Sequence, residues 1–503
     1  MLNTDILVVG TGIAGLSFAI KTAMKRRDLS ITIMTKELAE VSNTQFAQGG
    51  IAAVLNTVED SFEQHIQDTL KSGGGHSNED VVKMVVHQAP LRLLELINLG
   101  VNFDTNTQGY DLALEGGHSR KRILHYGDTT GEEVERALLE AAKSLNNLTI
   151  LEKHTVIDLV TEHQTCIGAF YFTPDNRIHY TRFRTLVLST GGCGQLFKHT
   201  TNPAIATADG VALAYRAGAE VADMQYIQFH PTALYEPGKN PSFLLTEALR
   251  GFGAHVVNHD GKRFLFQTDT RGELATRDIV SGAIGEELKK SGKDYVFLDC
   301  RHLEEETFKV HFPAILAHCK NIGLNPFTDL LPITPVAHYQ CGGITVDKNA
   351  QSTVKRLYAI GECARTGLHG KNRLASNSLL EAVVFAHQAS EAICENIDKV
   401  SLCTKVYVNK YGIVPCKMNQ GKINTIKKRI QETLHKFYVE GLSLEQTTEI
   451  VIQLKKQAFA LYDSLNVSLE LIEILNMLTV SGLIMKHNKN EYVTSIHNAQ
   501  QTS

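Results

Sequence analysis

The feature that most constrains this chain is a glycine triplet near its start. Gly10-Thr11-Gly12-Ile13-Ala14-Gly15 follows the apolar run Ile6-Leu7-Val8-Val9 and precedes a helix-forming stretch from Leu16 to Lys25. A second β-branched run, Ile31 to Met34, completes the order strand, glycine loop, helix, strand, which predicts a βαβ unit. The first glycine permits a tight turn, the second lets backbone approach a pyrophosphate, and the third lets helix and strand pack closely. The free N–H groups of the helix then point at phosphate. A Rossmann-like α/β domain is expected, with Gly10, Thr11, Gly12, Ile13, Ala14 and Gly15 at a dinucleotide.

The nature of that dinucleotide is read from the end of the second strand. An NAD site usually places an acidic residue there for the ribose. Here the residues are Thr35 and Lys36, which disfavours NAD and leaves FAD open. Arg184 to Ser189 reads as a further strand ending in Thr190-Gly191-Gly192, and Leu357 to Ile360 as another ending in Gly361-Glu362. Three glycine-ended strands so far apart fit an FAD domain interrupted by an insertion.

Composition removes other classes. The 503 residues are 43% hydrophobic and 21% charged, ordinary for a globular protein of roughly three domains. No apolar run approaches the ~18 residues of a membrane span. The start has no basic n-region, so a secretory signal is not expected. Nine cysteines without CxxC spacing read as reduced thiols in a cytoplasmic protein rather than as a disulfide or zinc framework. A net charge of −4 gives no footprint for nucleic acid. From Lys399 onward the chain is basic, 13 Lys and Arg against 8 Asp and Glu, and apolar residues recur at helical spacing: Ile426, Ile430, Leu434 and Phe437, then Ile450, Leu454, Leu461 and Leu465, then Leu471, Leu475 and Leu478. Three helices forming a separate bundle are expected there.

Longer motifs then carry a family resemblance. Thr44-Gln45-Phe46-Ala47-Gln48-Gly49-Gly50-Ile51-Ala52, Gln228-Phe229-His230-Pro231-Thr232, Leu245-Thr246-Glu247-Ala248-Leu249-Arg250-Gly251, Thr276-Arg277-Asp278-Ile279-Val280, His338-Tyr339-Gln340-Cys341-Gly342-Gly343 and Asn372-Arg373-Leu374-Ala375-Ser376-Asn377-Ser378-Leu379-Leu380 resemble the succinate dehydrogenase and fumarate reductase flavoproteins. Within that superfamily, Glu115-Gly116-Gly117-His118-Ser119 with Arg122-Ile123-Leu124-His125 resembles the L-aspartate oxidases. The tail departs from the pattern: Lys486 to Tyr492 matches the family's Arg- and Gly-rich C-terminal motif poorly.

The resemblance implies an FAD-binding domain (1–223 and 340–398), an inserted α+β capping domain (224–339) and a C-terminal helical domain (399–503). It also implies oxidation of L-aspartate to iminoaspartate with O2 or fumarate as acceptor, the first step toward quinolinate and NAD. Coupling to quinolinate synthase would follow. The alternatives are a soluble fumarate reductase, a flavoprotein subunit of a membrane-bound complex, and a nucleotide-binding module without redox chemistry. The implied cofactor contacts are Lys36, Asn43, Thr44, Gln45, Phe46, Ala47, Gln48, Gly49, Gly50, Val156, Asp209, Glu362, Ser378 and Leu379. Gly49 and Gly50 would lie against the flavin ring, and Ser376 or Asn377 would cap a helix running through Ser390 whose positive end faces the flavin.

A dicarboxylate bearing an ammonium needs cations, neutral donors and one anion. The resemblance supplies Arg373 as carboxylate clamp, His230, His338 and Thr246 as donors, and Arg277 for proton transfer or charge stabilisation at the reacting carbon. Glu115 would read the amino group. The family's covalent flavin histidine lies within Ser-His-Thr; the stretch here is Ser42-Asn43-Thr44, which implies non-covalent FAD, one per chain.

Overall fold

The computed structural model describes residues 2–107, 109–405, 407, 420–464 and 468–501. Five parallel strands build its central sheet, in the order Leu357–Ala359, Thr185–Leu188, Ile6–Val9, Ile31–Thr35 and Leu148–Glu152. Strands buried on both faces read as continuous apolar runs, and every residue of Ile6–Val9 and Thr185–Leu188 is buried. The three glycine-ended strands lie side by side, so their loops open at one sheet edge. Ligands of open parallel sheets bind at such carboxyl ends.

The helix Ile13–Lys25 packs against Asn377–Asn396, and Phe18, Ile20, Leu380 and Val384 share one core. The first of these helices starts three residues earlier than Leu16, with Gly12 at its N-cap. Gly15 therefore sits inside the first turn, where a Cβ would stand 2.2 Å from the Gly10 carbonyl oxygen. The second starts at Asn377, but Ser376 does not cap it by its side chain; it takes a left-handed conformation, φ 58°, and its hydroxyl is used elsewhere.

The insertion is built on an antiparallel sheet, Ile227–Leu234, Leu331–Gln340, Val296–Asp299 and His255–Val257. Its core is its own, including Leu234, Leu249, Val256, Ile284, Leu298, Phe308 and Ile333. The helix Arg277–Ser291 packs on Ile227–Leu234.

Three tail helices follow, Gln420–His435, Leu444–Ser464 and Leu469–Gln501; Leu465 lies outside the described residues. Their apolar faces are buried on more than one another. Ile430, Leu434, Leu454 and Leu478 share a core with Leu7, Leu186, Phe197 and Leu213 of the nucleotide-binding body. Among the described residues no helix is long and apolar enough to cross a membrane.

Candidate active site

A cavity of about 530 Å³ collects the expected residues from these separate elements. Glu115, His230, Thr246, Arg277, His338 and Arg373 line it together with Gly10 to Ala14, Lys36, Asn43 to Gly50, Val156, Asp209, Glu362, Ser378 and Leu379. Its size is within the range of about 300–1,000 Å³ usual for ligand sites. Gly15 alone stands back from it, because its role is the helix contact above.

At the nucleotide end, Gly10 adopts φ +110°, and a Cβ there would lie 2.2 Å from the Ser189 carbonyl oxygen. The Ile13 N–H donates to Thr44 Oγ1 at 3.0 Å, tying the glycine loop to the segment after it. Lys36 Nζ donates to Thr207 Oγ1 at 2.6 Å, Asp209 Oδ2 at 2.7 Å and Glu473 Oε1 at 2.7 Å. Burial opposes its charge, but Asp209 and Glu473 outweigh that and hold its pKa above the usual lysine value. Glu473 comes from the last tail helix, as does Asn476, which donates to Asp209 Oδ1 at 2.8 Å.

Further along, Asn43 Nδ2 donates to Glu362 Oε2 at 2.9 Å, and burial pushes the Glu362 carboxyl up to about 7. Asn43 Oδ1 and Gln48 Oε1 are buried with no partner among the described residues. The two glycines of the Gln-Gly-Gly step differ. A Cβ on Gly50 would strike the Leu124 carbonyl oxygen at 1.9 Å, so strand packing alone excludes a side chain there. A Cβ on Gly49 would instead meet Glu115 Oε1 at 3.0 Å.

At the other end two arginines share one carboxylate, while Arg373 and Glu115 stand outside that group. Arg277 is the first residue of its helix; its Nε donates to Glu247 Oε2 at 2.6 Å and its NH1 to Gln228 Oε1 at 3.0 Å. Glu247 Oε1 accepts from Arg250 NH2 at 2.6 Å. Burial pushes the Glu247 carboxyl up, yet Arg277 and Arg250 prevail and hold it below the usual carboxylate range. Arg373 donates from NH1 to Ser378 Oγ at 2.8 Å, lies 4.4 Å over the Tyr339 ring, and keeps a buried Nε without a partner among the described residues. Burial, then the nearby Arg277 charge, lowers its pKa to about 10.

The donors are neutral. His230 is fully buried, and its Nδ1 accepts the Thr232 N–H at 3.3 Å. A backbone N–H only donates, so the ring proton is on Nε2, which is buried without a partner among the described residues. His338 Nδ1 lies 2.7 Å from Thr201 Oγ1. Burial first, then neighbouring arginines, keeps both imidazoles well below their ordinary pKa. Thr246 caps the helix Glu247–Phe252, accepting weakly from Ala248 N at 3.4 Å, and also lines the cavity.

Glu115 is the exception among the acids. It is 2% exposed, accepts from Ser376 Oγ at 2.5 Å, and makes no salt bridge among the described residues. Burial and then the Glu247 charge raise its pKa above the usual carboxylate value.

Glu247, Gln228, Arg250 and Ser376 complete this geometry. The sequence gives the first three no individual role and Ser376 only that of a cap. The one available signal was Glu247 three residues before Arg250, the spacing of an ion pair on one helix face.

These residues can be set beside known proteins. A family model, the FAD binding domain, matches residues 5–379. The L-aspartate oxidase of Vibrio cholerae is 37% identical over 502 residues, covering 96% of this chain and 92% of that protein. This chain belongs to the L-aspartate oxidases. The L-aspartate oxidase of Nostoc is 43% identical over 390 residues, 76% of this chain and 66% of that one. Among solved structures, a mutant form of the Escherichia coli quinol fumarate reductase FrdA superposes with a TM-score of 0.85 at 27% identity, covering 96% of this chain and 88% of that one. Adenylylsulfate reductase of Archaeoglobus fulgidus, with TM-score 0.71 at 17% identity over 97% and 88% of the two chains, shares the fold alone.

FAD is thus the cofactor of this L-aspartate oxidase family member, and the residues present fit it. The cavity joins a glycine loop at a helix N-terminus to the unpartnered Asn43 Oδ1 and Gln48 Oε1. The helix N-terminus at Ile13 is the kind of feature that receives a phosphate.

Proposed function

We propose that the chain oxidises L-aspartate to iminoaspartate, with O2, yielding H2O2, or fumarate as final electron acceptor. The observation that carries this reading is Glu115, a buried carboxyl held by a serine rather than an arginine, beside a site otherwise furnished for carboxylates. Succinate and fumarate offer no group that needs an anion; aspartate offers one.

The roles follow from the bonds. Arg373, with its free Nε, clamps one carboxylate, and its planar fork suits that geometry. The Nε2–H of His230, with His338 and Thr246, donates to the other. Glu115 receives the ammonium and, because burial raises its proton affinity, is suited to take the proton that must leave before Cα can lose hydride. Arg277 is held rigidly by Glu247 and Gln228 beside the reacting carbon, which favours fixed electrostatic stabilisation of charge as it develops. When bound, FAD supplies the two-electron acceptor for that hydride. The reading includes a cytoplasmic setting and transfer of the unstable product to quinolinate synthase.

The test compares two substrates on FAD-loaded protein in air. L-aspartate should bleach the flavin and generate peroxide, and succinate should do neither at a comparable rate. Bleaching by succinate but not by aspartate would overturn the reading in favour of a fumarate reductase.

A further inference from the structure

Outside the cavity, three potential metal ligands converge from three different elements. Asp111 lies between the short strands Gly109–Tyr110 and Leu112–Ala113, His125 directly follows Ile123–Leu124, and His311 ends the helix Glu305–His311. One ligand atom from each lies within 4.8 Å of the others. We propose that Asp111, His125 and His311 form a binding site for a divalent transition metal, Zn²⁺ being the fitting ion.

The ligand chemistry supports this. Two imidazoles and a carboxylate are a donor set suited to zinc, with water completing a tetrahedron. A second carboxylate stands beside His125: its Nδ1 lies 3.1 Å from Asp104 Oδ2, and that carboxylate accepts the Gly127 N–H at 2.7 Å. A carboxylate this close to the ring adds negative charge beside the cluster, and carboxylates next to metal-binding histidines orient the ring and raise its basicity. His125 is buried, whereas Asp111 and His311 are half-buried, so an ion has a path in. Zinc bonds of about 2.0–2.1 Å in a tetrahedron place ligand atoms about 3.4 Å apart, so the side chains must close by up to about 1.4 Å, and two of the three are half-buried and have room to rotate.

The position gives the ion a consequence. His311 belongs to the antiparallel-sheet insertion, and Asp111 and His125 to the segment leading into the nucleotide-binding body. Three residues beyond His125, Asp128 accepts the Ala314 and Ile315 N–H groups at 3.0 and 2.8 Å. Metal would add a second fastening beside that latch.

The experiment titrates ZnCl2 into chelator-treated, FAD-loaded protein by calorimetry. One saturable site per chain is expected. His311→Phe keeps the packing against Phe252 and Phe312 but removes the ligand, and should abolish that site with the flavin spectrum unchanged. Asp104→Asn should weaken it about 10- to 100-fold. The proposal falls if the wild type shows no stoichiometric site, or if both variants bind zinc as it does.

Discussion

Glu247 holds two arginines at once, Arg277 through Oε2 and Arg250 through Oε1, each at 2.6 Å. Arg277 is therefore oriented by one oxygen of a carboxylate it shares, and the trio keeps a net positive charge. Its guanidinium is positioned before substrate arrives, and preorganised dipoles and charges cost no reorganisation during reaction.

Arg277→Leu should consequently abolish aspartate oxidation and fumarate reduction together. Transition-state contacts of this kind contribute about 3–4 kcal/mol, roughly 100- to 1000-fold. FAD should stay bound, since Arg277 belongs to the insertion rather than to the glycine loop. Steady-state rates and flavin content, measured on one preparation, check both halves. A variant within threefold of wild type in both reactions would reduce Arg277 to a structural ion pair.

Glu115→Gln should separate the two reactions. Aspartate turnover efficiency should drop by about 1.5–3 kcal/mol, roughly 10- to 150-fold, as a charged hydrogen bond is lost. Fumarate reduction should change little. In the wild type, kcat/KM for aspartate should fall on the acid side as Glu115 protonates, above the usual carboxylate range because burial raises its pKa. That limb should vanish in Glu115→Gln. Equal losses in both reactions, or an unchanged acid limb, would refute the assignment.

Flavin attachment gives a simpler outcome. Asn43 occupies the middle of Ser42-Asn43-Thr44, and its amide donates to Glu362; an amide cannot form the covalent link a histidine makes. Acid precipitation should leave the yellow colour in the supernatant. Colour in the pellet would contradict non-covalent binding.

Stability should also depend on pH through Glu135. Its Oε2 accepts from Ser42 Oγ at 2.6 Å, its Oε1 is buried without a partner among the described residues, and burial raises its pKa to about 8. Unfolded, it would titrate near about 4.3. Between these values the native state holds the proton more firmly than the unfolded chain does, so stability is full below about 4.3 and declines as pH rises through about 8. Glu135→Gln should raise the urea midpoint relative to wild type at pH 9 and much less at pH 6. An equal effect at both would show that the carboxyl does not titrate as described.

What the sequence made legible divides by range. The βαβ start could be read from local spacing, because glycine positions, apolar runs and helix length are set by the backbone over about thirty residues. The gathering of Glu115, His230, Arg277 and Arg373 could not; only the family resemblance brought them together. The bonds of Gln228 to Arg277 and of Ser376 to Glu115 carry no local mark, since they span 49 and 261 residues. The helix start at Ile13 escaped for a different reason. Glycine propensity argues for a later start, and the contact between Gly15 and the Gly10 carbonyl overrides it.

Through Glu473 and Asn476 the last helix braces Lys36 and Asp209, two residues of the cavity wall, from behind. The described tail helices are thus no detachable appendage. A fragment ending near Asn396 would uncover Leu213 and Phe197 to water and leave Lys36 facing Asp209 without its second acid.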